Sequence, residues 1–272
     1  MSFWAACLVL ATPAGSEACA TCHLEQHAAW AVSRHAKAAT NALFVANFKE
    51  EPLQWCLTCH APLGDAAAGV GCSSCHAAPH NKPVTPVSCE GCHQVNFPKA
   101  RVDPVTPGAW PMQNTFAEWR ASGSATTCKQ CHLSKGHAIS GGHDLALVAS
   151  ALELITRRDG EELEVVLRNR GVPHRVPTGD PFRALRFELL DDLGLVVASE
   201  RFGRDITRGP DGWQVTRDTT VPAGQGEVRA TLRPRRPATR YRLMLIYVGT
   251  TTARAVPAEA ESVVLEGELT SR

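Results

Sequence analysis

Five pentapeptides of the form Cys-x-x-Cys-His punctuate the first half of the chain, at residues 19–23, 56–60, 72–76, 89–93 and 128–132. The chain's own Cys and His frequencies give only about 0.02 such pentapeptides by chance. This is the attachment signature of c-type haem, in which two thiols bond covalently to the macrocycle and the histidine becomes an axial iron ligand. The thiol set is Cys19, Cys22, Cys56, Cys59, Cys72, Cys75, Cys89, Cys92, Cys128 and Cys131. The proximal imidazoles are His23, His60, His76, His93 and His132. Five covalently bound haem c groups are expected. Zinc would need tetrahedral sets of four ligands, and gives no reason for a His after every second Cys. Disulfides at this spacing would close five very short loops and restrain little of the unfolded chain.

At 272 residues the chain has room for one large or two modest domains. Its composition changes near residue 145: no cysteine follows, and His174 is the one histidine that does. Lysine stops as well; from Ala146 onward all 19 basic side chains are Arg, against 18 acidic ones. The expected fold is α+β. A signal segment at 1–15 is expected, followed by a haem-packed, mostly helical or irregular pentahaem domain at 16–145 and an antiparallel β-sandwich domain at 146–272. A formal net charge of +1 lacks the concentrated basic surface that a nucleic-acid partner requires.

Residues 3–11 form a short apolar run before Thr12-Pro13-Ala14-Gly15, which reads as the hydrophobic region and small-residue cleavage site of a secretory signal, although no Lys or Arg precedes it. Covalent haem attachment in bacteria takes place outside the cytoplasmic membrane, so the motifs independently imply a periplasmic or extracellular location. No stretch approaches the 18 apolar residues of a transmembrane helix.

Residues 18–39, free of Gly and Pro, predict a helix opened by the first motif, with His27 and Trp30 at helical spacing from His23. Shorter helices are expected at 43–49 and 115–121. Prolines 98, 104, 107 and 111 predict a loop over 96–111, wrapped around the haem stack. Conventional core side chains are few here, so porphyrin would supply most of the buried apolar surface. Beyond residue 145 the pattern alternates: Leu163, Val165 and Leu167 share one face, as do Leu185, Phe187 and Leu189. Further strands are expected near 195–200, 226–232, 241–250 and 262–269. Short strands without intervening helices predict the sandwich.

The sixth ligand decides whether a haem iron carries electrons or does chemistry. Six histidines stand outside the motifs: His27, His35, His80, His137, His143 and His174. They suffice to close all five irons. His35, His80, His137, His143 and His174 are expected as distal ligands, while His27, one helical turn from His23, is the expected spare and could hydrogen-bond a propionate. Met112 and Met244 are weaker candidates, Met244 lying in an apolar strand. His174 sits in a Pro-bracketed stretch, Val172-Pro-His-Arg-Val-Pro-Thr-Gly179, and as a ligand it would clamp the two regions together.

Several of these segments carry a family likeness. They are Cys19-Ala-Thr-Cys-His23, Trp30-Ala-Val-Ser-Arg-His35-Ala36, Gly69-Val-Gly-Cys-Ser-Ser-Cys-His76, Gly141-Gly-His143-Asp144 and His174-Arg-Val-Pro-Thr-Gly179. Over residues 19–190 the chain resembles the multihaem cytochromes c related to the tetrahaem cytochrome that accepts electrons from hydroxylamine oxidoreductase. The resemblance implies stacked, mostly bis-histidine haems, with the S-x-H, G-G-H and H-x-x-P-T-G histidines as distal ligands.

Together these features describe an exported pentahaem electron carrier rather than an enzyme, exchanging electrons with redox partner proteins. Two alternatives stay open. One is a multihaem reductase or oxidase of a small nitrogen or sulfur species, which needs one open iron beside acid–base groups; Asp144 and Arg175, each next to an expected ligand, are the residues to watch. The other is a subunit of an oligomer or extracellular cytochrome filament, in which His27 ligates a neighbour's haem.

Overall fold

The computed structural model describes residues 15–76, 85–100, 102–248 and 260–269. The expected signal segment up to Ala14, and with it Cys7, lies outside the described residues, as does His80.

The Cys-rich half is a series of short helices: α1 (Ser16–Ala20), α2 (Leu24–Ala31), α3 (Ala42–Glu50), α4 (Gln54–His60), α5 (Cys72–Cys75), α6 (Pro86–His93), α7 (Thr115–Ala121) and α8 (Cys128–His132). The helix expected over 18–39 is instead broken at the first motif and ends at Ala31. Beyond that end the buried hydroxyl of Ser33 accepts from the Ala36 amide at 3.2 Å, a local bond that competes with helix continuation. The chain then turns until Asn41 caps α3, its side chain accepting from Phe44 N at 3.0 Å.

The proline-rich segment is a correction. It forms an antiparallel hairpin, β1 (Val95–Pro98) and β2 (Pro107–Gln113), rather than a loop. Proline is tolerated because the ladder has only two strands and two register irregularities, so few amide donors are required. Glycines let it pack closely on a later hairpin: a Cβ on Gly108 would stand 3.1 Å from the Asp211 carbonyl oxygen, and one on Gly212 would stand 2.9 Å from that of Pro98.

After α9 (Leu145–Ser150) come β3 (Leu152–Asp159), β4 (Glu162–Asn169), β5 (Arg183–Leu190), β6 (Val196–Phe202), β7 (Arg204–Gly209), β8 (Gly212–Asp218), β9 (Glu227–Leu232), β10 (Arg240–Tyr247) and β11 (Glu261–Glu268). A four-stranded sheet runs β11-β10-β5-β6, a three-stranded sheet β3-β4-β9, and β7 pairs β8. Each pairing is antiparallel. Strands β3, β7 and β8 were not expected from the alternation, because Arg, Thr and Asp interrupt their apolar positions.

The two larger sheets close over one apolar cluster. Leu163, Val165 and Leu167 of β4 meet Leu185, Phe187 and Leu189 of β5 and Leu243 of β10, with buried members running from Val148 to Leu245. Each such side chain contributes about 1.5–3 kcal/mol by leaving water. The outer face of the four-stranded sheet buries Ala184, Met244 and Ile246, and also the Glu188 carboxylate, which is paired with Arg186 and Arg242. Planar guanidinium groups bridge carboxylates across strands in this half: Arg168 spans Glu153 and Glu227 across β3, β4 and β9 at 3.1 and 3.0 Å. Among the described residues no helix is long and apolar enough to cross a membrane.

Candidate haem-binding site

On a helical turn positions i, i+3 and i+4 share one face, so a Cys-x-x-Cys-His motif in helical conformation offers both thiols and the imidazole on one side. Four motifs lie wholly or mainly in α4, α5, α6 and α8, and the first spans the end of α1 and the turn after it. Local bonds fix two helix starts: Thr127 N donates to Gln130 Oε1 at 2.6 Å, and Thr85 N to Ser88 Oγ at 3.2 Å.

The motifs surround a continuous cavity of about 2100 Å³, lined by nine of the ten motif cysteines and all five motif histidines. An ordinary small-molecule pocket measures about 300–1,000 Å³, so this space suits several large planar groups. The thiols of Cys19 and Cys72, Cys59 and Cys92, and Cys89 and Cys128 are close enough to shift one another's ionisation, placing motifs 1 and 3, 2 and 4, and 4 and 5 side by side. Burial pushes the Cys56 and Cys75 thiols up and takes Cys89 up to about 11. Thioether formation would abolish these titrations.

Three imidazole pairs face one another across the cavity. His35 and His93 have ring centroids 6.3 Å apart, His76 and His137 6.1 Å, and His132 and His174 6.1 Å. An iron between two imidazoles, with metal–nitrogen bonds of about 2 Å and about 1.1 Å more to each ring centre, requires centroids about 6.2 Å apart. Each pair thus fits one iron. Each joins a motif histidine to a distant histidine that was expected as a distal ligand.

Hydrogen bonds at Nδ1 leave Nε2 to point at a metal. His132 Nδ1 lies 2.6 Å from Ser140 O, His174 Nδ1 2.9 Å from Arg175 O, His60 Nδ1 2.8 Å from Ala38 O, and His93 Nδ1 3.3 Å from Gln113 Oε1. Burial, followed by the nearby His93 and His132, takes His35 down to about 4, and burial also lowers His93 and His174. All three are therefore held in the neutral form that binds metal.

Residues from both halves hold the His174 loop. Asn169 is fully buried; its Nδ2 donates toward the carbonyls of Val172, His174 and Pro222, and its Oδ1 accepts from Gly171 N and Val172 N. From α7, Glu118 Oε2 accepts from Arg175 N at 3.1 Å and Thr178 Oγ1 at 2.8 Å, and Oε1 meets Arg204 at 3.4 Å. Arg175 itself is anchored to Thr220 Oγ1 at 2.7 Å and Asp218 at 3.2 Å. Asp144 caps α9 through Leu147 N and pairs with Lys135 at 2.7 Å, which holds its carboxyl down to about 2. The two residues watched as acid–base groups thus have structural partners.

The other candidates stand differently. His27 Nε2 is buried, 3.4 Å from Glu17 Oε1 but without a hydrogen bond. His143 Nε2 lies 2.8 Å from Arg183 Nη2. Met244 packs with Ala184 and Ile246, and Met112 lines the cavity. Glu118, Asn169 and Arg183 escaped sequence reasoning, because single polar residues in ordinary helix and strand contexts carry no local signal of their distant partners. Gly69 escaped too, although it stands at φ +57° and a Cβ there would meet the His35 and Ala36 carbonyls at 2.5 Å.

Short motif-bearing helices around one cavity, backed by antiparallel sheets, give this chain a multihaem cytochrome c fold. A crystal structure of a penta-heme cytochrome c552 from Thermochromatium tepidum matches it with a TM-score of 0.70, over 94% of this chain and 99% of that one. Their sequences are 20% identical, so the likeness is one of fold. A superoxide reductase in the oxidised state (TM-score 0.24, 11% identity, 44% of this chain and 87% of that one) carries no argument. Nor does the Fcho1 mu homology domain of Danio rerio, at 0.17, 11%, 46% and 44%. No family model and no curated protein matches the chain.

Proposed function

We propose that the chain is an exported pentahaem c-type cytochrome that relays single electrons between redox partner proteins. The observation that carries this reading is the set of three imidazole pairs, 6.1–6.3 Å apart, around a cavity lined by the five attachment motifs. The ten motif cysteines would hold five haem c groups, with His23, His60, His76, His93 and His132 as proximal ligands. His93 would share its iron with His35, His76 with His137, and His132 with His174. The haem-bearing unit would span 16–145 and the sandwich 146–272, with His174 bridging them. The motif likeness to relatives of the electron acceptor of hydroxylamine oxidoreductase supports the same class.

Bound haem c supplies a one-electron iron couple. The protein's part is to fix and shield it. His35 with His93, His76 with His137 and His132 with His174 would hold the iron between two imidazoles, which would favour electron transfer over substrate chemistry. Carbonyl partners at Nδ1 orient the rings of His60, His132 and His174, and burial keeps His35, His93 and His174 neutral. The closeness of thiols from different motifs would keep neighbouring haems adjacent for a relay.

Reductive titration of the exported holoprotein tests this. Five electrons per chain and at least three low-spin, bis-imidazole signals in electron paramagnetic resonance are expected. Four or fewer electrons, or fewer than three such signals, would overturn it.

A further inference from the structure

A polar cluster lies at the seam between the helices and the four-stranded sheet, apart from the three imidazole pairs. Arg183 opens β5 and stands opposite Tyr247, the last residue of β10. Its Nη2 is 2.8 Å from His143 Nε2, and Gly142 passes so near the guanidinium that a Cβ there would collide with Nη1. Arg34 is close enough to oppose the Arg183 charge.

Arg34, Arg183, His143, Tyr247 and Ser262 line a cavity of about 130 Å³. That is the volume of about four liquid waters, room for a small anion. Arg183, His143 and Tyr247 also line the large cavity, and Asp180 beside them feels the charge of His60, so the cluster borders the second motif's site.

Among the described residues no carboxylate forms an ion pair with Arg183. Asp180 acts on it only at longer range, and burial raises the pKa of that carboxyl. Burial likewise lowers the pKa of Arg183. A half-buried guanidinium gains from an anion that meets it, and its planar fork suits a two-oxygen group. Burial raises the pKa of the Tyr247 hydroxyl, which keeps its proton and remains a donor.

We propose that Arg183, with Arg34, His143, Tyr247 and Ser262, forms a binding site for a small carboxylate or oxyanion beside the haem held by His60. Two sources offer this chemistry: the propionate of that haem, and a free oxyanion of nitrogen or sulfur. The inference rests on the pentahaem reading for the identity of the neighbouring group.

The test uses the holoprotein, wild type and Arg183→Gln, each first checked for five haems by intact mass. Nitrite is titrated in, followed by calorimetry and by the difference spectrum, and the haem potentials are measured without it. Nitrite binding that perturbs one haem and weakens at least tenfold in Arg183→Gln supports a free-oxyanion site. No nitrite binding, with one midpoint potential falling in Arg183→Gln while the rest hold, supports the propionate, because removal of a positive charge favours the oxidised iron. Wild-type potentials together with unchanged nitrite behaviour in Arg183→Gln would overturn the proposal. If Arg183→Gln does not accumulate, Arg183→Lys and Tyr247→Phe carry the same comparison, each expected to weaken the same response. Fewer than five haems in the wild type strikes at the pentahaem reading, while calorimetric nitrite binding still reports on Arg183.

Discussion

Replacing Glu118 by alanine should unlatch the His174 loop. The Glu118 and Arg204 side chains are each only 8% exposed, and the same carboxylate accepts from Arg175 N and Thr178 Oγ1 of the loop. Breaking a buried pair costs about 3–5 kcal/mol when the remaining charge is left unpaired, but Arg204 keeps Asp218 at 3.3 Å, so the cost here falls below that range. The orphaned amide and hydroxyl would each add about 1–3 kcal/mol if the loop could not move, but a loop that swings outward recovers water for them. The expected loss is therefore about 2–3 kcal/mol, measured by chemical denaturation of the holoprotein. Loop movement carries the imidazole that faces His132 at 6.1 Å, so one haem should become partly high-spin and bind carbon monoxide. His174→Ala should give the same spectrum with a smaller loss of stability. A Glu118→Ala protein that loses stability while every haem stays low-spin would refute the link between this latch and axial ligation.

Three further outcomes follow from the same geometry. Asn169→Ala leaves several buried loop groups without partners, at about 1–3 kcal/mol each, so the melting temperature should fall clearly; an unchanged value would show that the loop is held elsewhere. Gly69→Ala must push a methyl group against the His35 carbonyl at a positive φ, so the haem at His93 should gain high-spin character in electron paramagnetic resonance, and an unaltered spectrum would count against Gly69 as the support of His35. Glu261, bound by both Arg186 terminal nitrogens at 3.0 and 3.1 Å, has its pKa lowered mainly by that contact. Its contribution is complete above the unfolded value and is lost as pH falls through the lower folded one. With Glu261 52% exposed, wild type should exceed Glu261→Gln by only about 0.5–1 kcal/mol at neutral pH, and the two should converge in acid; a difference that persists there would contradict the pairing.

The attachment motifs were legible because covalent chemistry is local: two thiols and an imidazole must stand within five residues. Strands β4, β5 and β10 were legible because both sheets bury the same face, which forces the alternation of Leu163, Val165 and Leu167 and of Leu185, Phe187 and Leu189. The hairpin β1–β2 was hidden by its own prolines, whose missing donors matter little in a two-stranded ladder. The composition pointed to histidines outside the motifs but could not pair them with motif histidines, since His35 with His93 and His76 with His137 are brought together only by the path of the chain between them. Asp144 and Arg175 looked reactive from sequence because they adjoin expected ligands; in the fold one caps a helix and the other ties a loop to β8.

The central claim is the haem count, and the intact mass of the exported, purified protein measures it most directly. The mass should exceed that of the polypeptide by five haems and survive denaturation, since each group would be held through two thioether bonds. A mass with four or fewer, or haem lost on denaturation, would contradict the account.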